Sequence, residues 1–363
     1  MNRTGGYARA AAVAAALLCS ISMVAAQTAA PVRGIWISPP SSTAVLPSVV
    51  RSIQMAGLDT IVLPVLYDGR TAYPSRIFPQ HGVYVGSDPA AALIEEAHRR
   101  GMRAFAALDL LYWQSSAEPS PAVANHPQWL ERIAEGRVIG DDAGRPGAFV
   151  SPCEPRVKSL LVELASELAS RYDFDGVVLD YARWSRLDFL GYADADRKLY
   201  LEERRADPLD VDLFGYATPE DMIEALVRWQ EEQITSVTHA VALAFRRGEP
   251  QALALAVVAP GYYADRLTDP VRQDWRSWLR QPWLSAVMPD GLAYSDPTAA
   301  RSQLRAATAT DSAPVVALIR RSDALPAPVQ IAVAAELGLQ GFILWGRDSL
   351  EQRRAILREL GAP

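Results

Sequence analysis

Eight short apolar runs, each followed by a segment of helical spacing, constrain this 363-residue chain more than any other feature. The runs are Arg33–Ser38, Thr60–Leu66, Met102–Leu108, Gly176–Leu179, Ala252–Ala259, Leu284–Met288, Pro314–Ile319 and Phe342–Leu344. Their length and apolar composition read as buried strands. After the first, Leu46, Val49, Val50 and Ile53 recur at helical spacing within Val45–Ala56, closed by Gly57. Asp88-Pro89 opens a second helix, which Gly101 closes after His98-Arg99-Arg100. Glu154–Ser170 presents Leu160, Leu161, Leu164 and Leu168 as one stripe. Thr218-Pro219-Glu220 opens a long helix towards Arg247, Asp274–Leu279 is helical, and a last helix runs towards Leu360. Strand then helix, eight times over, predicts an α/β chain folded as a single closed (β/α)8 TIM barrel. The first run is not followed by Gly-x-Gly-x-x-Gly, and no phosphate loop occurs, so the open nucleotide-binding sheet lacks its fingerprint.

Two connections are long: residues 112–153 after the third run, and Trp184 to about Ala217 after the fourth. Long loops inside a compact domain are usually functional or disordered, and the tryptophans of the first speak for order.

The N-terminus reads as a secretory signal. Arg3 and Arg9 give a basic start, Ala10–Leu18 is apolar but too short to span a bilayer, and Val24-Ala25-Ala26 offers small residues for cleavage before Gln27. The expected division is residues 1–26 as signal and 27–363 as barrel, exported to the periplasm or medium. No later segment is expected to cross a membrane. Removing Arg3 and Arg9 leaves 34 basic against 42 acidic side chains, a formal −8, which argues against nucleic-acid partners. Cys153 would then be the lone thiol, and four scattered His do not suggest a metal site. Cys153 reads as a small packed residue, and neither a metal nor another cofactor is expected.

In such a barrel the working face lies where the strands end. Those positions hold Trp36; Tyr67 and Asp68; Asp109 and Trp113; Asp180, Tyr181 and Arg183; Tyr262; Asp290; Arg320; and Trp345. Carboxylates among aromatics suit glycoside chemistry, in which one carboxyl protonates the leaving oxygen while another attacks or activates water. Indole and phenol faces suit sugar C–H faces, although a single Trp is more often core than platform. The stretch Tyr172–Trp184 is the most telling, since Asp180, Tyr181 and Arg183 leave the end of a buried strand together. The bland alternative is a structural Asp180–Arg183 ion pair.

The chain resembles a known family, the glycosyl-hydrolase-like barrels of the tenth group, bacterial envelope proteins linked to cleavage of peptidoglycan glycan. The resemblance spans nearly the whole chain after the signal. It rests on Arg33-Gly-Ile-Trp-Ile, Tyr73-Pro-Ser, Asp88-Pro through Glu96-Ala-His-Arg-Arg-Gly101, His126-Pro-Gln-Trp, Glu154-Pro-Arg-Val, Asp175-Gly-Val-Val-Leu-Asp-Tyr-Ala-Arg183, Phe214-Gly-Tyr and Gln273-Asp-Trp-Arg. It implies that Asp180 is a catalytic carboxylate with Tyr181 and Arg183 shaping its pocket. The chain departs from the pattern at Leu66-Tyr67-Asp68, at Ser151-Pro-Cys153 and at Met288-Pro-Asp290.

The expectation is a glycosidase with a polysaccharide substrate. Asp180 is its nucleophile or charge stabiliser, with Arg183 expected to favour the ionised form. Asp290 is its general acid, and Asp109 binds a substrate hydroxyl. Trp36, Tyr67, Asp68, Trp113, Tyr181, Arg183, Tyr262 and Trp345 complete the substrate-binding set. The alternative from another class is a carbohydrate-binding barrel without turnover.

Overall fold

In the computed structural model the described residues are 31–114, 119–138, 148–214, 218–248, 250–259, 266–267, 269–290, 297–308, 314–320, 325–346 and 350–361. The expected signal segment and Tyr262 lie outside them. The strands are β1 (Val32–Ile37), β2 (Thr60–Tyr67), β3 (Arg70–Thr71), β4 (Arg103–Asp109), β5 (Tyr112–Gln114), β6 (Ala148–Phe149), β7 (Gly176–Asp180), β8 (Leu253–Val258), β9 (Ala286–Pro289), β10 (Ala317–Ile319) and β11 (Gly341–Gly346). The helices are α1 (Leu46–Met55), α2 (Pro89–Arg99), α3 (Pro121–Asn125), α4 (Pro155–Arg171), α5 (Asp194–Arg204), α6 (Glu220–Gly248), α7 (Trp275–Trp278), α8 (Pro297–Thr308), α9 (Ala327–Glu336) and α10 (Leu350–Glu359).

Eight parallel strands follow in the order β10-β11-β1-β2-β4-β7-β8-β9. The ring is completed by a short seam, where Val287 bridges Val315 and exchanges backbone bonds with Pro314 and Val316. From Val32 onward the chain forms one compact unit. This is the (β/α)8 barrel expected from the eight runs, and the strand bounds agree within a few residues.

The barrel has two apolar layers, set by the alternation of side chains along each strand. Trp36, Val62, Phe105, Ala107, Val178, Leu255, Val257, Met288, Leu318, Ile343 and Trp345 fill the inside. The intervening residues, such as Ile35, Ile61, Leu63, Ala106, Leu108, Val177 and Leu179, pack outward with Leu93, Leu161, Leu164 and Leu168 of the helices. Gly176 opens β7 where no side chain fits, since an added Cβ would lie 2.8 Å from the Leu253 carbonyl and 2.9 Å from the Phe105 ring.

Three local features were not expected. Asp68 and Gly69, both with positive φ, make a two-residue turn that returns β3 antiparallel to β2. β5 and β6 pair antiparallel above the β4 end. Helix α5 lies within the second long connection. Only Asp196 and Tyr200 of it are buried, so it carries no apolar stripe to announce it.

Candidate active site

The inner row of each strand, followed to its C-terminal end, leads to the candidate residues. Phe105 and Ala107 point inward, so Asp109 does too; Val178 makes the same argument for Asp180. Met288 precedes Asp290 by two positions, Leu318 precedes Arg320 by two, and Ile343 precedes Trp345 by two. Asp109, Asp180, Asp290, Arg320, Trp36 and Trp345 thus converge on one mouth. Asp109 and Asp180 are direct register partners on β4 and β7 and are 4% and 6% exposed. Neighbouring strands lie roughly 4.8 Å apart. Asp290 stands two strands further round, past β8.

Tyr67 reaches the mouth through an irregularity. The β2–β4 register slips between Pro64 and Leu66, and both Val65 and Leu66 pack in the outer layer. That extra residue turns Tyr67 to the inner side, whereas strict alternation from Val62 would have sent it outward. Its ring stacks on His81 at 4.1 Å and its hydroxyl meets that of Tyr84 at 3.3 Å.

Asp180 is held at the start of a tight turn. Tyr181 has φ of 48°, a left-handed conformation unusual for a bulky residue, and its N–H donates to Asp180 Oδ1 at 2.7 Å. The Tyr181 ring stacks on Tyr112 at 4.7 Å, and the Arg183 guanidinium lies 5.0 Å from its centre. Arg183 also donates to the Trp184 carbonyl at 2.7 Å. Backbone bonds from Leu110 to the Asp180 carbonyl and from Leu111 to the Tyr181 carbonyl tie the two strand ends together. Gln273 braces the neighbouring edge: it accepts from Ala259 N–H and donates to the carbonyls of Ala182 and Val257.

On the far side Asp290 is an ion-pair centre. Arg320 meets both its carboxylate oxygens, at 2.8 and 3.1 Å, and Arg186 reaches it at 3.4 Å. Arg320 lies 3.8 Å over the Trp345 ring, and Trp345 packs on Trp36 at 5.0 Å. Arg320 was expected at the strand ends, though with no role assigned, whereas Arg186 was not among the expected site residues.

Other expected residues take structural places. Trp113 is 0% exposed in the outer layer, edge-on to Phe78, with its indole N–H donated to the Leu110 carbonyl. The structure does not bring it to the mouth. Asp68 is the left-handed turn residue and meets Arg70 at 3.4 Å. Trp36 is wholly buried beneath the mouth, so it supports Trp345 from below. Among the described residues, no group of three or more His, Cys, Asp or Glu could hold a metal ion.

Sequence reasoning also missed a buried polar cluster behind the site. Glu131 Oε2 accepts the N–H groups of Gly191 and Arg132, tying together the loops after β4 and β7. Its carboxyl faces Asp196, which faces the Ser151 hydroxyl and the Cys153 thiol. Burial, then the Asp196 charge, pushes Glu131 well above the usual carboxyl range. Burial raises Asp196 to about 6 and pushes the thiol up as well. Two buried carboxyls facing each other are stable only while they share a proton.

The profile of the family described as glycosyl hydrolase-like 10 matches residues 31–319. Glycosyl hydrolase DigH of Escherichia coli K12 is 26% identical over 196 residues, 42% of this chain and 42% of that protein, and DigH of Shigella flexneri matches equally. The aligned region is thus well under half of the curated relatives' length. Among solved structures, the PgaB (BpsB) glycoside hydrolase domain from Bordetella bronchiseptica superposes with a TM-score of 0.65 at 14% identity, covering 89% of this chain and 98% of that one. Alpha-L-fucosidase isoenzyme 2 from Paenibacillus thiaminolyticus gives 0.62 at 16% identity, over 92% of this chain and 48% of that one. At such identities these structures speak for the fold alone.

Proposed function

We propose, starting from the fact that the chain belongs to the glycosyl hydrolase-like 10 family, that it hydrolyses glycosidic bonds in a bacterial polysaccharide, with peptidoglycan glycan as the substrate. The observation that carries the reading is the pair Asp109 and Asp180, in register and facing into the mouth. Strand spacing of roughly 4.8 Å is close to the roughly 5–5.5 Å between carboxyls in retaining glycosidases.

Asp180 attacks the anomeric carbon, and the leaving oxygen takes a proton from the second carboxyl. Water then cleaves the glycosyl-enzyme, with that second carboxyl as base. Asp290 was expected to be the acid and Asp109 to bind a hydroxyl; the acid's role goes instead to Asp109. A general acid is favoured by burial beside a second carboxyl, and Asp109 is 4% exposed and in register with Asp180, whose Oδ1 is already taken by the Tyr181 N–H. Asp290 lies between two guanidiniums, an environment for a permanent anion. It serves instead to hold Arg320 over Trp345, which gives a sugar ring a fixed polar and aromatic wall.

The DigH relatives are named glycosyl hydrolases, and the PgaB domain is named a glycoside hydrolase domain. Peptidoglycan is proposed on the family resemblance together with an exported chain starting near Gln27. No helix among the described residues is long and apolar enough to cross a membrane. The test is release of reducing ends from purified peptidoglycan glycan strands by wild type and by Asp180→Asn. Cleavage by wild type alone supports the reading; equal release by both removes Asp180 from it. Binding to the strands with no release by either would make the protein a carbohydrate-binding barrel. N-terminal sequencing of periplasmic protein tests export, and an intact Met1 would refute it.

A further inference from the structure

A second concavity lies outside the mouth, between the two long loops and the segment after α5. It has a volume of about 560 Å³, within the usual range for a ligand site. One wall is the turn 133–137, where Ile133 N–H bonds the Arg137 carbonyl. The second is Leu187–Tyr192, and the third is Leu209–Phe214.

The walls are fixed before any ligand arrives. Glu131 joins the first to the second through Gly191 N–H, and Tyr192 N–H bonds the Arg132 carbonyl. Phe189 and Phe214 meet edge to face at 4.9 Å, joining the second wall to the third. The buried Arg272 guanidinium backs Phe189 at 5.4 Å. Phe214 nevertheless remains 64% exposed, and Leu187 is 59% exposed. Preorganised apolar faces held open to solvent have no core to serve. Asp188, Asp212, Glu135 and Arg137 stand around them. That mixture of apolar faces ringed by hydroxyl-binding groups suits a sugar ring, and three carboxylates against one guanidinium favour an uncharged ring over an anionic one. The chain itself links the concavity to the mouth, because Arg186, which holds Asp290, immediately precedes Leu187.

We infer that this concavity is a remote subsite for a further sugar unit of the polysaccharide held in the mouth. The inference rests on the proposed glycosidase function, and the chain length of the substrate separates the two. A short aryl glycoside fills the mouth alone, whereas a long glycan strand reaches both.

The experiment compares wild type, Phe214→Ala and Phe214→Tyr on a short aryl N-acetylglucosaminide and on long peptidoglycan glycan strands. Phe214 is exposed, so its truncation leaves the core intact. The expected result is a loss of about three- to ten-fold in kcat/KM on long strands for Phe214→Ala, with the aryl substrate unaffected and Tyr restoring the loss. Equal effects on both substrates, or none on either, overturn the subsite while leaving the glycosidase standing. If wild type cleaves neither substrate, the proposed function fails, and strand binding measured by calorimetry decides the subsite alone. Weaker binding by Phe214→Ala supports it, and unchanged binding overturns it.

Discussion

Asp109 and Asp180 end neighbouring strands in direct register, and each continues an inward-facing row whose earlier members are apolar. Each therefore leaves the interior of the barrel where its strand leaves the sheet. Two nearly buried carboxyls side by side have no packing rationale, since like charges there oppose each other. Removing either by amide substitution should abolish cleavage of natural glycan while thermal unfolding stays within a few degrees of wild type. Circular dichroism melting alongside reducing-end assays reads both. A variant at Asp180 that keeps wild-type turnover would remove the pair from the mechanism.

The acid is separable from the nucleophile by the leaving group. Asp109→Asn should lose roughly 10²–10⁴-fold on natural glycan and far less on an aryl glycoside whose leaving group needs no proton. Asp290→Asn should instead weaken binding of both substrates similarly, because Arg320 loses the carboxylate that positions it over Trp345. The opposite pattern would return the acid's role to Asp290.

A mechanism with Asp180 as nucleophile retains configuration at the anomeric carbon. Proton NMR of the first product formed should show the anomer of the substrate. An inverted first product would exclude the Asp109–Asp180 pair and favour carboxyls further apart.

The Glu131–Asp196 cluster makes stability fall as pH rises. Both carboxyls have folded pKa values raised above their unfolded ones, so their stabilisation is complete at low pH and lost as pH rises, through about 6 for Asp196 and further up for Glu131. Glu131→Gln supplies a permanent donor in place of the shared proton. Its melting temperature should change less than that of wild type between pH 5 and pH 8 and lie higher at pH 8. Parallel curves for the two proteins would show that the pair carries no proton of consequence.

Glu167 acts in the opposite sense. Burial raises its pKa, but bonds from Ser75, Arg76 N–H, Tyr73 and Arg171 outweigh this and hold it below its ordinary 4.5. Its contribution is present above that value and lost as pH falls through the lower folded one. Glu167→Gln should cost about 1–3 kcal/mol at pH 7, and the difference from wild type should shrink towards pH 3 in urea unfolding.

The barrel was legible because the strand runs are apolar at most positions on both faces, with Arg33, Thr60, Arg103 and Ser285 all at the start of their runs, a pattern that burial on both faces explains. The mouth was legible where alternation runs unbroken, as at Asp109, Asp180, Asp290 and Trp345. It was not legible for the manner in which Tyr67 arrives, which depends on one extra residue in β2 that leaves no mark in composition. Trp113 misled because an aromatic two residues past a loop start looks the same whether it faces substrate or core. The Glu131–Asp196 contact joins segments far apart in the chain, and nothing local announces it.

The stretch Asp175–Arg183 combines two devices at opposite ends of one strand. Asp175 accepts the Ala104 N–H at 2.8 Å and pairs with His98 at 2.9 Å at the entry to β7, and Gly176 makes room there for Phe105. Asp180, Tyr181 and Arg183 occupy its exit. The first part serves the fold, and the second, on the proposed function, serves the chemistry. A protein could therefore inherit the Asp-Gly half intact and shed the Asp-Tyr-x-Arg half without losing its shape. Such a descendant would pass for an enzyme by its outline and be silent in an assay.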